Sequence, residues 1–327
     1  MPTLRVASML FTTIGLAAST LAGASMALAQ QYPGKPITIV ANLAPGSTGD
    51  MIAREVGAVL STRLAQPVLI ENKAGAGGML GAQDVVKAAP DGYRLLLTSS
   101  GLTAEQSLRS SDFDIREKLA PITDAVSISL GLMVNSKMPA KTVQEFIALA
   151  KERDGSLRFG SAGVGSAIHL AAESFLLAAG IKMVHVPYQG GTAVVTGLLQ
   201  DEIQAIVFDP TAAAGMLQAG QLRMVALGGN SRSPNYPDTP SFSEGGLPGF
   251  DPGAWYGFFA PKGTPAEIIQ TLQNNIAEAL KDPAVFKKFS EKGFRIVGSS
   301  SDKFAVRINE DVEHWKRVIE DAKVSVK

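Results

Sequence analysis

Between residues 36 and 227, short apolar blocks of strand length alternate with segments that carry a helical stripe of apolar residues. A chain patterned this way folds as α/β layers, because each helix must return its apolar stripe to the sheet that the preceding strand joined. The strand-like blocks are 37–42, 67–71, 94–99, 129–135, 158–160, 183–187, 203–208 and 223–227, with one more at 256–260. Several are bare runs of Val, Ile and Leu, as strands covered on both faces read, and largely parallel sheets are predicted. Within 51–64, Ile52, Val56, Val59, Leu60 and Leu64 share one helical face. Residues 143–150, 168–179, 194–199, 268–280 and 304–322 are predicted as helices on similar grounds.

A chain of 327 residues, 46% of them hydrophobic, exceeds one average domain and predicts two lobes. The Pro-rich stretch 233–253 and a change of character near 127–135 mark two crossings, so the first lobe is predicted to be discontinuous. The boundaries are 30–131 with 255–327 for the first lobe and 132–254 for the second. Ahead of them, Arg5 precedes an uncharged stretch that ends in Ala27-Leu28-Ala29, the small-x-small pattern of a secretory cleavage site. The stretch is also long enough for a membrane anchor, but Gly15, Gly23 and many Ala, Ser and Thr keep its centre only mildly apolar. Residues 1–29 are therefore predicted to be a cleaved signal peptide, and the mature chain to be exported.

Composition removes several functional classes. Thirty basic residues balance thirty acidic ones, without a basic run, so the electrostatic footprint of nucleic-acid binding is missing. Cysteine is absent and only His169, His185 and His314 offer imidazole, at no helical metal-ligand spacing. Neither a metal nor a cofactor is expected. The catalytic patterns fail in turn: there is no Gly-x-Ser-x-Gly elbow and no phosphate loop ending in Gly-Lys-Ser/Thr, and Leu80 occupies the last glycine's place in a dinucleotide fingerprint starting at Gly75.

Four strand-to-helix turns share one form: Ala44-Pro45-Gly46-Ser47-Thr48-Gly49-Asp50, Ala74-Gly75-Ala76-Gly77-Gly78, Gly160-Ser161-Ala162-Gly163-Val164-Gly165-Ser166 and Tyr188-Gln189-Gly190-Gly191-Thr192. Glycine lets backbone approach a ligand, and the first N–H groups of a helix point outward with the positive end of its dipole. Each turn is a candidate cradle for a carboxylate or phosphate. Ser47, Thr48, Ser161, Ser166 and Thr192 add uncharged donors, and the same hydroxyls suit N-capping. Asp50 suits a structural place in a first helical turn. Asp209, after the strand 203–208, stands at a strand's carboxyl end, where α/β sheets bind ligands, and can accept a hydrogen bond there. Tyr188 abuts the Gly190-Gly191 turn and is a ligand candidate, whereas the aromatic strand 255–259 reads as core or hinge packing. His185 reads as structural and His314 as solvated. Ser166 and His169, three residues apart on one helix, are a conceivable reactive pair without an evident third member.

Taken in order, Tyr32-Pro33-Gly34-Lys35-Pro36-Ile37, Ala44-Pro45-Gly46-x-x-x-Asp50, Glu71-Asn72-Lys73-Ala74-Gly75-Ala76-Gly77-Gly78, Pro90-Asp91-Gly92-Tyr93, Gly160-Ser161-Ala162-Gly163, His185-Val186-Pro187-Tyr188 and Gly245-Gly246-Leu247-Pro248-Gly249 resemble the substrate-binding proteins of tripartite tricarboxylate transporters, the Bug receptors. The resemblance implies a periplasmic binding protein of type II with a ligand cleft between two α/β domains. It implies a small carboxylate as ligand (a di- or tricarboxylate, an acidic amino acid or an aromatic acid), membrane permease subunits as partners, a monomeric state and no catalysis. Carried over by motif, Ser47, Thr48, Gly77, Gly78, Ser161, Ala162, Gly163 and Ser166 would hold the carboxylate, with Ser99 at the neighbouring strand end. His169, Gln189, Gly190, Gly191, Asp209 and Thr211 would line the second lobe's side. Two departures stand out: Gly46-Ser47-Thr48-Gly49-Asp50 lacks the family's usual Gly-Gly run, and Leu102 to Arg109 replaces a segment that commonly carries Asn-Pro and Leu-Tyr. The rival readings are a periplasmic enzyme using Ser166 and His169, and a sensor serving a signalling partner.

Overall fold

In the computed structural model, which describes residues 32–108, 112–229 and 231–325, the chain from Lys35 onward builds two mixed sheets. The first part runs β1 (Ile37–Ala41), α1 (Thr48–Leu64), β2 (Val68–Asn72), α2 (Met79–Val86), β3 (Arg94–Ser99), α3 (Gly101–Leu108), α4 (Ile115–Lys118) and β4 (Leu119–Ser129). The middle part runs β5 (Gly131–Asn135), α5 (Val143–Glu152), β6 (Arg158–Ser161), α6 (Ala167–Ala179), β7 (Val184–Pro187), α7 (Gly191–Leu199), β8 (Ala205–Phe208), α8 (Ala214–Gln218) and β9 (Leu222–Leu227). The chain then returns through β10 (Gly253–Pro261), α9 (Ala266–Leu280), α10 (Pro283–Glu291), β11 (Arg295–Ile296) and α11 (Ser301–Asp321). The expected signal peptide, residues 1–29, lies outside the described residues.

Both sheets follow one plan. The first has the order β2-β1-β3-β10-β4-β11, and the second β7-β6-β8-β5-β9. In each, three parallel strands are followed by one antiparallel strand that the chain supplies as it crosses from the other sheet: β10 in the first, β5 in the second. The sheets are therefore mixed, against the expectation of largely parallel ones, because each crossing inserts its strand between two others. This is the two-lobed α/β arrangement of a periplasmic binding protein of type II.

The longest strand was illegible in the sequence. In β4, Pro121, Asp124 and Ser127 interrupt the apolar run, and two register shifts against β10 absorb the irregularity. Proline is accommodated there because a bulge needs no ladder donor. Asp124, 1% exposed, is matched by Arg307 of α11, whose guanidinium also donates to Ser127 at 3.0 Å.

Helix starts follow capping chemistry. Ser47, Thr142, Ser166 and Ser300 each accept a backbone N–H of the first turn, and Asp282 does so ahead of Pro283. The first core joins Val40, Leu96, Trp255, Phe259, Phe304 and Ile308. In the second lobe Phe146, Phe159, Phe175 and Phe242 fill one face of the sheet, and Val194, Leu198, Ile203 and Ile206 the other. Covering both faces leaves the carboxyl edges of the parallel strands as the accessible rim.

Candidate functional site

On the first lobe's rim the β1–α1 loop is shaped by Asp50. Its buried carboxylate accepts the Gly46 N–H at 2.9 Å, the Asn72 amide at 2.9 Å and the Arg54 guanidinium at 3.1 Å. Burial alone would raise this carboxyl; Arg54, the Gly46 N–H and Asn72 together hold it below the ordinary range. The expected structural role of Asp50 is thus explicit. Ser47 caps α1 by accepting the Asp50 N–H, and the adjoining Thr48 side chain lies near the Tyr256 phenol.

Tyr256 is the residue that sequence reasoning missed. It stands on β10 directly opposite Ser99, the carboxyl end of β3. Its phenol is pushed up to about 12 by burial and then by the negative charge of Asp209, a residue of the second lobe. Tyr256 thus neighbours Ser99 across the sheet, and the charge of Asp209 acts on its phenol. The available signal was the period of two along β10: Trp255 is buried in the core, so Tyr256 must face the other way.

The β2–α2 loop carries three glycines at positive φ, Gly75, Gly77 and Gly78. Gly78 abuts Asn42, whose amide donates to the Gly78 carbonyl at 3.0 Å and to Thr98 Oγ1 at 2.9 Å. Asn42 Oδ1 is buried without a hydrogen-bond partner among the described residues. Gly77 lies under the side chain of Glu105 from α3, with Oε2 2.7 Å from the point where a Cβ would stand.

In the second lobe the expected cradle residues divide by what their side chains touch. Ser161 is fully buried; its hydroxyl meets His185 Nε2 at 2.6 Å and accepts the Gly163 N–H at 3.1 Å. His185 stacks between Phe159, at 4.9 Å, and His169, at 3.8 Å. His169 is 4% exposed, with Nδ1 accepting the Gly165 N–H at 3.0 Å and Nε2 3.5 Å from Glu173. Ser166 caps α6 through the His169 backbone N–H, so its hydroxyl serves that N–H while the His169 ring turns to Gly165. Tyr188 packs beneath Gly160 and donates to Glu202 at 2.9 Å. Ala162 and Gly163 are partly exposed on the rim, as is Gly191, and Gln189 and Gly190 are exposed there.

Asp209 caps the turn after β8 with one oxygen, accepting from Thr211 N at 2.9 Å and Oγ1 at 2.7 Å. Thr211 Cγ2 lies 3.9 Å from the Cβ direction of Gly293 in the first lobe. His314 departs from its expected solvated state: it is half-buried and meets Ser174 of α6 at 3.1 Å, and burial lowers its imidazole. Beside the rim, a cavity of about 400 Å³ is bounded by Ser100, Gly101, Ala167, Ala171 and α11. Among the described residues no group of three or more His, Asp or Glu side chains could hold a metal ion.

A family model described as the tripartite tricarboxylate transporter family receptor matches residues 52–324. The chain is 33% identical to BugT of Bordetella pertussis over 321 residues, which cover 97% of this chain and 98% of that one. A TctC solute-binding protein from Polaromonas superposes with a TM-score of 0.80 at 26% identity, covering 89% of this chain and 99% of that chain. Two proteins of Rhodopseudomonas palustris were solved with ligands: one with adipate (TM-score 0.74, 28% identity, 90% and 99% covered) and MatC with bound malate (TM-score 0.72, 27% identity, 88% and 100% covered). With the motifs in order, two sheets of one plan and the strand-to-helix loops gathered at their rims, the chain belongs to the receptor family of tripartite tricarboxylate transporters.

Proposed function

We propose that the chain is a periplasmic receptor that closes two lobes, residues 30–131 with 255–327 and residues 132–254, on a small organic carboxylate. It then delivers the ligand unaltered to the permease subunits of a tripartite transporter. The observation that carries this reading is the match of residues 52–324 to the receptor family of tripartite tricarboxylate transporters, on a fold whose glycine-rich strand-to-helix turns lie at the carboxyl ends of the parallel strands. Relatives solved with adipate and malate support a carboxylate ligand.

The donors are uncharged. Near the rim, Arg54 is committed to Asp50, and Lys73 to Glu71 and Asp84. A carboxylate would instead meet first-turn N–H groups of α1, α6 and α7, together with hydroxyls of Thr48 and Tyr256. Such donors bind less tightly than a bidentate Arg would, which suits a receptor that must release its cargo. Contacts from both lobes favour the closed state, and the two chain crossings are the natural hinges. The orientation of His169 toward Gly165 supports binding over catalysis, since it leaves Ser166 without a base on that ring.

The test is a thermal-melt panel of the secreted chain with mono-, di- and tricarboxylates, amino acids and aromatic acids. A ligand bound only by the folded state stabilises by about 2.7 kcal/mol at a hundredfold excess over Kd. Recovery of the bound acid unchanged, a monomeric mass in solution and loss of uptake when the permease genes are deleted are expected. Turnover of the bound acid, abolished by His169→Ala, would establish the enzyme reading in its place.

A further inference from the structure

We infer that His169 is a positioning residue of the second lobe: from behind the loop it gives the Gly165 N–H an uncharged acceptor, and this lack of charge lets the first turn of α6 receive an anion. The inference rests on the reading of the chain as a carboxylate receptor and specifies how that turn is kept both ordered and free of negative charge.

The geometry is that of a reciprocal cap. Ser166 is the N-cap of α6, and its hydroxyl accepts the backbone N–H of His169, the third residue of the helix, at 3.3 Å. His169 returns the bond one residue further out, with Nδ1 accepting the Gly165 N–H at 3.0 Å. Glutamate or glutamine commonly fills this third position, because its side chain reaches back to an N–H at the helix start. Here an imidazole makes the reach. The residue is 4% exposed, so it acts through the loop and offers a ligand almost no surface of its own.

The same hydrogen bond fixes the ring's proton. An N–H donor arriving at Nδ1 requires a bare nitrogen there, so the ring is the neutral tautomer with its proton on Nε2. Nε2 faces Glu173, one turn further along α6 and away from the helix start, at 3.5 Å. On its face the ring stacks 3.8 Å from His185, which meets Ser161 Oγ at 2.6 Å. Burial, then His169, lowers His185 to about 4, so it too is uncharged. The loop from Ser161 to Ser166 is therefore tied near both ends by imidazoles, and neither brings a negative charge to it.

Charge decides why an imidazole suits this place. Gly163 and Gly165 take positive φ, so the loop's path has little intrinsic preference and depends on its ties. A carboxylate at position 169 would tie Gly165 equally well and would be favoured by the helix dipole. It would also neutralise the positive end of α6 and set like charge against an arriving carboxylate where screening is weak. The neutral ring separates the two tasks: it orders the turn and leaves the helix's positive end to the ligand.

His169→Gln and His169→Glu separate charge from cap, since both side chains suit the capping position and Gln also keeps a donor toward Glu173. Urea midpoints and isothermal titration at neutral pH with malate, adipate, succinate, citrate, glutamate and benzoate read the two effects. His169→Gln is expected to hold the acid that the wild type binds within about threefold of its affinity, and His169→Glu to weaken it about tenfold or more while staying folded. Because the introduced carboxylate stands four residues from Glu173, the double variant His169→Glu, Glu173→Gln is included, and it is expected to regain stability without regaining affinity. His169→Leu, which has no acceptor, is expected to speed hydrogen exchange of the Gly165 amide, and His169→Gln to leave it protected. Equal affinities of the Gln and Glu variants, or affinity that follows stability across the whole set, would overturn the inference and leave the receptor function standing. Failure of the folded wild type to bind any of the acids would overturn the carboxylate reading and the inference with it.

Discussion

Ser161 Oγ lies 2.6 Å from His185 Nε2, and the imidazole it meets is stacked 3.8 Å from that of His169. Burial, then the neighbouring His169, lowers His185 from 6.5 to about 4, so the ring stays neutral while folded. The unfolded chain takes up a proton at this position below pH 6.5, which means that the stability supplied here is present above that pH and lost as pH falls toward 4. The loss is at most about 3 kcal/mol. Asp124 acts in the opposite sense: burial raises it to about 6, so its contribution is complete below 3.8 and lost as pH rises through 6. His314, lowered by burial, adds to the first effect and Asp311, raised by burial, to the second. Urea midpoints of the wild type should therefore change little between pH 5 and 6.5. His185→Gln should grow more stable as pH falls across that range, and Asp124→Asn less stable; parallel profiles for all three proteins would contradict this account. Ser161→Ala, which strands both His185 Nε2 and the Gly163 N–H, should cost about 1–3 kcal/mol at pH 7.

Tyr256→Phe removes the phenol that lies near Thr48 and feels the charge of Asp209, while keeping the ring. A hydrogen bond to a charged ligand group contributes about 1.5–3 kcal/mol, so affinity for the carboxylate should fall tenfold or more. Stability should move by less than about 1 kcal/mol, because the lost partner on the protein is a rim hydroxyl. Calorimetric titration beside a melt separates the two effects.

Gly257 lies between β3 and β4, and a Cβ there would run into the Phe304 ring of α11 and stand 3.0 Å from the Thr123 carbonyl. Overpacking at such a position costs about 1–3 kcal/mol, and Gly257→Ala should lower the unfolding midpoint accordingly. Shortening the neighbour with Phe304→Leu in the same chain should recover part of the loss. Additive losses in the double variant would show that the backbone contact, and not the ring, sets the penalty.

Asp50→Asn keeps the shape of the clasp but removes its charge. Arg54 and the Gly46 N–H would lose a carboxylate partner, for about 1–3 kcal/mol. Since the carboxyl is held below its ordinary value in the native state, its contribution is present above that value and lost in acid as pH falls through the lowered one. The variant should accordingly show a shallower decline in stability below pH 4, read as urea midpoints against pH.

Much of the fold was legible because α/β folding is driven by local pattern. The block at 94–99 became β3 with the same bounds, and the stripe of Ile52, Val56 and Leu60 is the buried face of α1. What was illegible depended on partners distant in the chain. Nothing within β4 explains Asp124 in a strand until Arg307, far along the sequence, is placed over it.

The site divides in the same way. Sequence alone determined the alternating architecture, the glycine-rich turns at strand ends and the scarcity of charged donors among them, since these follow from residue type and spacing. Only the tertiary structure decided which groups face the rim. It spent the Ser161 hydroxyl on His185, turned Tyr188 to Glu202, brought Tyr256 opposite Ser99 and laid Glu105 over Gly77. The physical reason is that a hydroxyl or carboxylate has the same donors and acceptors wherever it lies in the sequence. Whether they serve a ligand or the protein depends on the partners that strand order and helix packing bring within hydrogen-bond reach.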